Sequence, residues 1–238
     1  MFDAAGPSGR DYGDSILKLR LQGNRLVVSD FFTPSNEAKL NANDGDLGSG
    51  GPLLLPDGPG KGTAGIVFGG KEGVLYEINP VKMGGLQHHS GNPDVESFQL
   101  SEGIYSAPAY WNGHLYTYAS EDSLKEFAVT NGKIAAACTS RSQQRSMFSG
   151  GTPTVSADGD RHGIVWIVET RAWNEGGMRA VLRAYEALNV DKPLYSSDVN
   201  GSRDEASTAL RFTIPMVANG RVYVGGVKSV TVYGLLQQ

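Results

Sequence analysis

An apolar stretch carrying a proline leads into a glycine turn, then into a strand rich in aromatic or β-branched residues, then into a strand with an aromatic. The chain repeats this order four times. The copies are Gly51-Pro52-Leu53-Leu54-Leu55 with Ile66-Val67-Phe68 and Val74-Leu75-Tyr76; Ser106-Ala107-Pro108-Ala109-Tyr110 with Leu115-Tyr116 and Leu124-Lys125-Glu126-Phe127; Gly151-Thr152-Pro153-Thr154-Val155 with Ile164-Val165-Trp166 and Leu182-Arg183-Ala184-Tyr185; and Thr213-Ile214-Pro215-Met216-Val217 with Val222-Tyr223-Val224 and Val230-Thr231-Val232-Tyr233. Short strands repeated at about 40 to 50 residues cannot bury their apolar faces singly, and they stack as the blades of a β-propeller. The prolines at 52, 108, 153 and 215 lie 45 to 62 residues apart, which fits that unit with loops of varying length.

Composition narrows the rest. Glycine is high at 32 residues, with 11 prolines, which suits many tight turns. The glycines keep no three-residue period, and 39% apolar residues in alternating runs are too many for a disordered chain. Net charge is -4 and the 21 basic residues are scattered, so no basic stripe exists to neutralise phosphates, and nucleic acid is not an expected partner. Cys138 stands alone, which rules out an intrachain disulfide. No apolar run approaches the ~20 residues of a membrane span. Residues 1–10 have neither a basic start nor an apolar core, so no signal peptide is read there.

Strand signals run throughout, and helical periodicity of any length is absent. Asn112-Gly113 and Asn219-Gly220 lie between strand runs and supply the positive φ of a two-residue hairpin, with Ala157-Asp158-Gly159-Asp160 in the same role. The expected organisation is one all-β domain over 1–238, an incomplete ring of four-stranded antiparallel blades. Residues 1–32 are read as the outer strands of an incomplete blade, and 51–100, 105–137, 151–198 and 211–236 as successive blades. Polar segments at 33–50, 83–100, 138–150, 171–179 and 190–210 are read as surface loops, where binding usually resides.

Asn43-Asp44-Gly45-Asp46-Leu47-Gly48-Ser49-Gly50-Gly51-Pro52, followed by Gly69-Gly70-Lys71-Glu72-Gly73-Val74-Leu75-Tyr76-Glu77-Ile78-Asn79, resembles the quinoprotein dehydrogenase-like propellers. In that family an aspartate-rich loop enters the innermost strand, and a basic residue precedes a later strand. Phe127-Ala128-Val129-Thr130-Asn131-Gly132-Lys133 resembles the family's Ala-x-Asp-x-x-Thr-Gly-Lys-x-x-Trp docking motif, without its aspartate and tryptophan. The similarity covers nearly the whole chain and is nearest to bacterial propellers that look like binders of pyrroloquinoline quinone (PQQ). It implies a periplasmic or extracellular protein and a chain corresponding to the C-terminal portion of a longer ring.

By the same resemblance, Asp46 matches the general base of the alcohol-oxidising members and Lys71 the residue that hydrogen-bonds the quinone. A base takes the alcohol proton as hydride leaves, and a cation stabilises the reduced quinone oxygen. The family's vicinal cysteine pair is excluded here by the single cysteine. Its calcium-binding glutamate and asparagine, and its tryptophan floor, belong mostly to blades that would precede Met1. Asp44 and Asp46, beside Asn41 and Asn43, make an oxygen-rich loop of a kind that binds Ca²⁺; turn formation and strand capping are the competing roles.

Other chemistry-bearing residues read as structural. His88-His89 lacks a third ligand nearby, and His114 and His162 each precede a strand at a hairpin. Ser49 lacks the setting of a nucleophile elbow, and Gly48 to Gly51 that of a phosphate loop. The repeated aromatics are expected to pack between blades. Three functions are therefore expected. The first is a binding scaffold for a protein or small molecule at the propeller face; the second is a PQQ- and calcium-dependent alcohol or sugar dehydrogenase. The third is a scaffold in an envelope assembly that pairs with a partner strand or oligomerises through an open edge.

Overall fold

The computed structural model describes residues 12–57, 63–87, 95–170 and 177–235. The chain opens with a hairpin, β1 (Ile16–Gln22) and β2 (Arg25–Thr33), followed by a short helix, α1 (Glu37–Ala42), and a 3₁₀ turn at Leu47–Ser49. Strands β3 (Leu53–Pro56), β4 (Thr63–Gly69) and β5 (Val74–Ile78) come next. The two-residue β6 (Gly85–Leu86) leaves that sheet to pair in parallel with β2, and β7 (Val95–Gln99) completes it in the order β3-β4-β5-β7.

The next sheet holds β8 (Ala109–Trp111), β9 (His114–Thr117) and β10 (Ser123–Thr130); β10 pairs with both β11 (Lys133–Ile134) and β12 (Ser140–Arg145). Strands β13 (Thr154–Asp158), β14 (Arg161–Glu169), β15 (Val181–Glu186) and β16 (Asn189–Ser196) form a four-stranded antiparallel meander. The last sheet has β17 (Met216–Ala218), β18 (Arg221–Gly226) and β19 (Ser229–Gly234).

Each repeated proline stands immediately before an innermost strand: Pro52 before β3, Pro108 before β8, Pro153 before β13 and Pro215 before β17. A strand's first position tolerates the missing N–H. The hairpins that follow are set by positive φ at Asn112 (46°) and Gly113 (83°), and at Asn219 (50°) and Gly220 (70°). That pair of conformations matches the twist of the flanking strands. Successive innermost strands are neighbours in chain order, and Thr154 Oγ1 donates to Pro215 O at 2.7 Å across one such pair. The sheets stand side by side as the blades of a β-propeller whose ring is not closed.

The outermost strands correct the loop assignment. β7, β12 and most of β16 lie inside 83–100, 138–150 and 190–210, all read as loops, and the sheet begun at Ala109 runs on to Arg145, past residue 137. An outermost strand meets solvent on its free edge and over much of both faces, so its sequence loses the apolar alternation of its neighbours. Ser140-Arg141-Ser142-Gln143-Gln144-Arg145 shows the effect. The short α1 likewise occupies part of 33–50.

Four apolar clusters lie between sheets, one at each junction. Phe32 joins Ile66, Phe68, Tyr76 and Ile78. Val67 and Leu75 join Leu115 and Phe127. Tyr116 and Leu124 join Val165, Ile167 and Tyr185. Val168 and Leu182 join Val222 and Val224. Period-two alternation sends neighbours to opposite junctions, as with Leu75 and Tyr76, Leu115 and Tyr116, or Ile167 and Val168. Each such side chain contributes about 1.5–3 kcal/mol on full burial.

Polar latches add register. Tyr116 OH donates to Ala187 O at 2.9 Å and Trp111 Nε1 to Gly159 O at 2.9 Å. The Trp111 ring lies over Gly163, where a Cβ would sit 2.6 Å from it.

Candidate functional site

Because strands alternate in direction, the segments entering β3, β8, β13 and β17 emerge at the same end of the sheets as the turns between second and third strands. Both family-implied residues lie at this end. Asp44 and Asp46 belong to the segment entering β3, and Lys71 to the β4–β5 turn. Lys71 Nζ sits 2.8 Å from Asp44 Oδ2 and 2.7 Å from Asp46 Oδ2. Its backbone N–H donates to Asp46 O at 3.1 Å.

Local structure places these groups. Gly45 N–H donates to Leu40 O at 2.8 Å, and Leu47 N–H to Asp14 Oδ1 at 2.8 Å, so the loop is tied to α1 and to the first strand's approach. Asp44 takes a left-handed turn at φ 56°, which aspartate tolerates better than most residues. Gly70 is required where the turns meet: a Cβ would lie 2.7 Å from both Asp46 O and Leu47 Cα. Glu72 accepts from Asn36 Nδ2 and from Tyr76 OH, each at 2.8 Å. Burial, with Glu72 beside it, raises the Tyr76 phenol above its ordinary range.

Hydrogen bonds to Asp44 and Asp46 hold the Lys71 ammonium above the ordinary lysine range. It stays charged at neutral pH and does not act as a free amine. Its side chain is 24% exposed, against 84% and 56% for the two aspartates, so the triad faces water.

The arrangement does not fit calcium. Ca²⁺ takes about six to eight oxygen ligands, and here an ammonium occupies the space between two exposed carboxylates. The described residues hold no cluster of three or more His, Cys, Asp or Glu placed to bind a metal. Nor does it fit a quinone site. Asp46 is engaged by Lys71, and the two described tryptophans are used elsewhere. Trp111 covers Gly163 at the hairpin end, and Trp166 Nε1 donates to Ser156 Oγ at 2.8 Å; Trp173 lies outside the described residues.

A second group at the same end escaped sequence reasoning. The Tyr105 and Phe148 rings meet edge to face at 5.0 Å between centroids. The Arg211 guanidinium lies 5.5 Å from the Phe148 centroid and 4.9 Å from that of Phe212, within cation–π range. Phe148 is 41% exposed and Phe212 55%. Each ring stands shortly before a repeated proline: Tyr105 three residues before Pro108, Phe212 three before Pro215 and Phe148 five before Pro153.

The remaining candidates are structural where described. His114 Nδ1 lies 2.6 Å from Glu126 Oε1, and Ser140 Oγ donates to that carboxylate's other oxygen. Ser49 Oγ donates to Ile104 O at 2.7 Å, and a Cβ on Gly50 would collide with Gly69 O, so the glycine run serves close packing. Cys138 packs beside an apolar junction. His162 occupies a positive-φ position at 53° beside a hairpin turn. His88-His89 lies outside the described residues, and no described helix is long and apolar enough to cross a membrane.

No protein-family profile matches the chain, and no curated protein matches it. Among solved structures it is similar in fold to BamB from Moraxella catarrhalis, with a TM-score of 0.52 and 9% identity over 92% of this chain and 59% of that one. The computationally designed Ika8 protein aligns with a TM-score of 0.49 and 10% identity, over 91% of this chain and 57% of that one. The chain thus spans about three fifths of the length of the BamB it matches.

Proposed function

We propose that this chain is a β-propeller interaction scaffold without catalysis of its own, and that it binds a protein at the loop end of its sheets. The observation that carries the reading is the aromatic and arginine group of Tyr105, Phe148, Arg211 and Phe212. Its Phe148 and Phe212 rings stay exposed at the end where the inter-sheet loops gather. Exposed aromatics paired with arginine are the residue types that dominate protein–protein recognition. The neighbouring Lys71 triad supplies a fixed, solvated pattern of charge that serves specificity more than affinity. The likeness in fold to BamB supports a scaffold over an enzyme, and a place in an envelope assembly is the form of scaffold that agrees best with it. The resemblance read from the sequence adds a periplasmic or extracellular setting, which cell fractionation tests.

Photo-crosslinking tests the binding face. A benzoylphenylalanine at Phe148 or Phe212 is expected to trap a discrete protein in cells, and Arg211→Glu to abolish the adduct. The same probe at Leu188, 53% exposed at the opposite hairpin end, is expected to trap nothing. Equal labelling at the two ends, or dye reduction on adding PQQ, Ca²⁺ and an alcohol, overturns the proposal.

A further inference from the structure

A polar cleft of about 540 Å³ lies on the outer rim, between β12 and β16, the outermost strands of two adjacent sheets that both carry their full set of strands. Its geometry comes from an irregularity in β12. The two-residue step from Ser123 to Lys125 on β10 faces the four-residue step from Arg145 to Arg141 on β12. This bulge holds the Arg141 and Arg145 Cα atoms to about 7 Å, against about 14 Å on a regular strand. Ser142, 2% exposed, stitches the bulge: its Oγ accepts from Leu124 N–H at 3.0 Å and donates to Gln144 O at 2.8 Å.

Two guanidinium groups are thereby drawn together, and no carboxylate pairs with either among the described residues. Arg145 donates to the Glu121 carbonyl, and Arg141 has no partner among the described residues. Like charges held side by side repel. An anion between them relieves the repulsion, and arginine grips carboxylate or phosphate through two hydrogen bonds at once. The rest of the lining sets the ligand's class. Hydroxyls of Ser123, Thr139 and Ser140 and the amide of Asn189 line the cleft, and no aromatic or aliphatic side chain does so among the described residues. Gln143 Nε2 donates to Asp191 Oδ1 at 3.2 Å and spans the cleft from one sheet to the next. A stacked base finds no platform here. An inorganic ion leaves most of the space unfilled, for the volume is that of a small-molecule site.

We propose that this cleft binds an anionic saccharide, with Arg141 and Arg145 on its acidic group and the hydroxyl and amide side chains on its hydroxyls. Amide NMR titrations of the whole chain test it with glucuronate, glucose 6-phosphate, glucose, inorganic phosphate and a tri-glutamate peptide. Saturable shifts at residues 139–145 and 189–191 are expected with glucuronate or glucose 6-phosphate, and whichever binds tighter identifies the acidic group. Glucose and inorganic phosphate each carry half of the recognised chemistry and are expected to bind about tenfold more weakly or worse. Arg141→Gln is expected to weaken binding about tenfold. Its melting temperature is expected to stay unchanged, because Arg141 holds nothing in the free protein. Arg20→Gln, exposed on β1, is expected to bind as the intact chain does. Absence of saturable shifts with both acidic sugars overturns the proposal. So does glucose or phosphate binding as tightly as they do, tri-glutamate doing so, which indicates an acidic protein partner, or undiminished binding by Arg141→Gln.

Discussion

Replacing Glu77 separates two jobs that one buried carboxylate performs between adjacent blades. Glu77 is 1% exposed; its Oε2 accepts from Ile134 N–H at 3.0 Å and its Oε1 lies 3.1 Å from Lys133 Nζ. Lys133 also reaches Glu96 at 3.0 Å, and its side chain is 55% exposed. Glu77→Ala strands the N–H of Ile134 in an apolar junction, at about 1–3 kcal/mol. It also removes four heavy atoms from that junction, which adds about 1 kcal/mol of lost packing. Lys133 keeps water and Glu96, so the lost ion pair contributes under about 1 kcal/mol.

The expected loss is therefore about 2–4 kcal/mol, a fall in melting temperature of roughly 5–12 °C for a chain of this length. Glu77→Gln retains an oxygen for Ile134 and forfeits only the exposed pairing, so it is expected to cost about 1 kcal/mol or less. Urea titrations followed by tryptophan fluorescence at pH 7 compare the two. If glutamine costs as much as alanine, the charge and not the acceptor is what the junction requires. If alanine costs under about 1 kcal/mol, Glu77 does not latch the blades.

Gly163→Ala forces a methyl to within 2.6 Å of the Trp111 ring and 2.8 Å of Ala187 Cβ; overpacking of about 1–3 kcal/mol is expected by urea titration, with a change in tryptophan emission. Gly70→Ala pushes on Asp46 O and Leu47 Cα; faster amide exchange confined to residues 44–47 and 70–73 is expected, with the sheets unaffected. Asp204 is held down to about 2, first by Arg203, whose Nε lies 2.7 Å from Oδ1. A depressed carboxylate stabilises above its unfolded value near 4 and loses that contribution as pH falls toward about 2. Arg203→Met is therefore expected to lower the melting temperature slightly at pH 7, where that contribution is present, and to flatten its decline as pH falls through that window.

The fold was legible because its signals are local and repeated. Each proline ahead of an inner strand and each Asn-Gly hairpin lies within a few residues of what it determines. The outermost strands were not legible, since they bury too little to need apolar alternation: β12 reads Ser-Arg-Ser-Gln-Gln-Arg. At the site, resemblance singled out Asp44, Asp46 and Lys71, and the fold brings all three together, but as a triad in which one ammonium pairs with both carboxylates. No sequence spacing could show that, because Lys71 comes 25 residues after Asp46 and meets it only through the turn geometry at Gly70. The group of Tyr105, Phe148, Arg211 and Phe212 was hidden because its members sit in different repeats and converge only through the radial arrangement.

A crystal structure measures that arrangement most directly. The account predicts inner strands β3, β8, β13 and β17 adjacent in chain order, with Trp111 stacked on Gly163 and Glu77 bonded to Ile134 N–H across neighbouring sheets. Two facing sheets in a sandwich, or Glu77 and Ile134 on elements that do not touch, would contradict it.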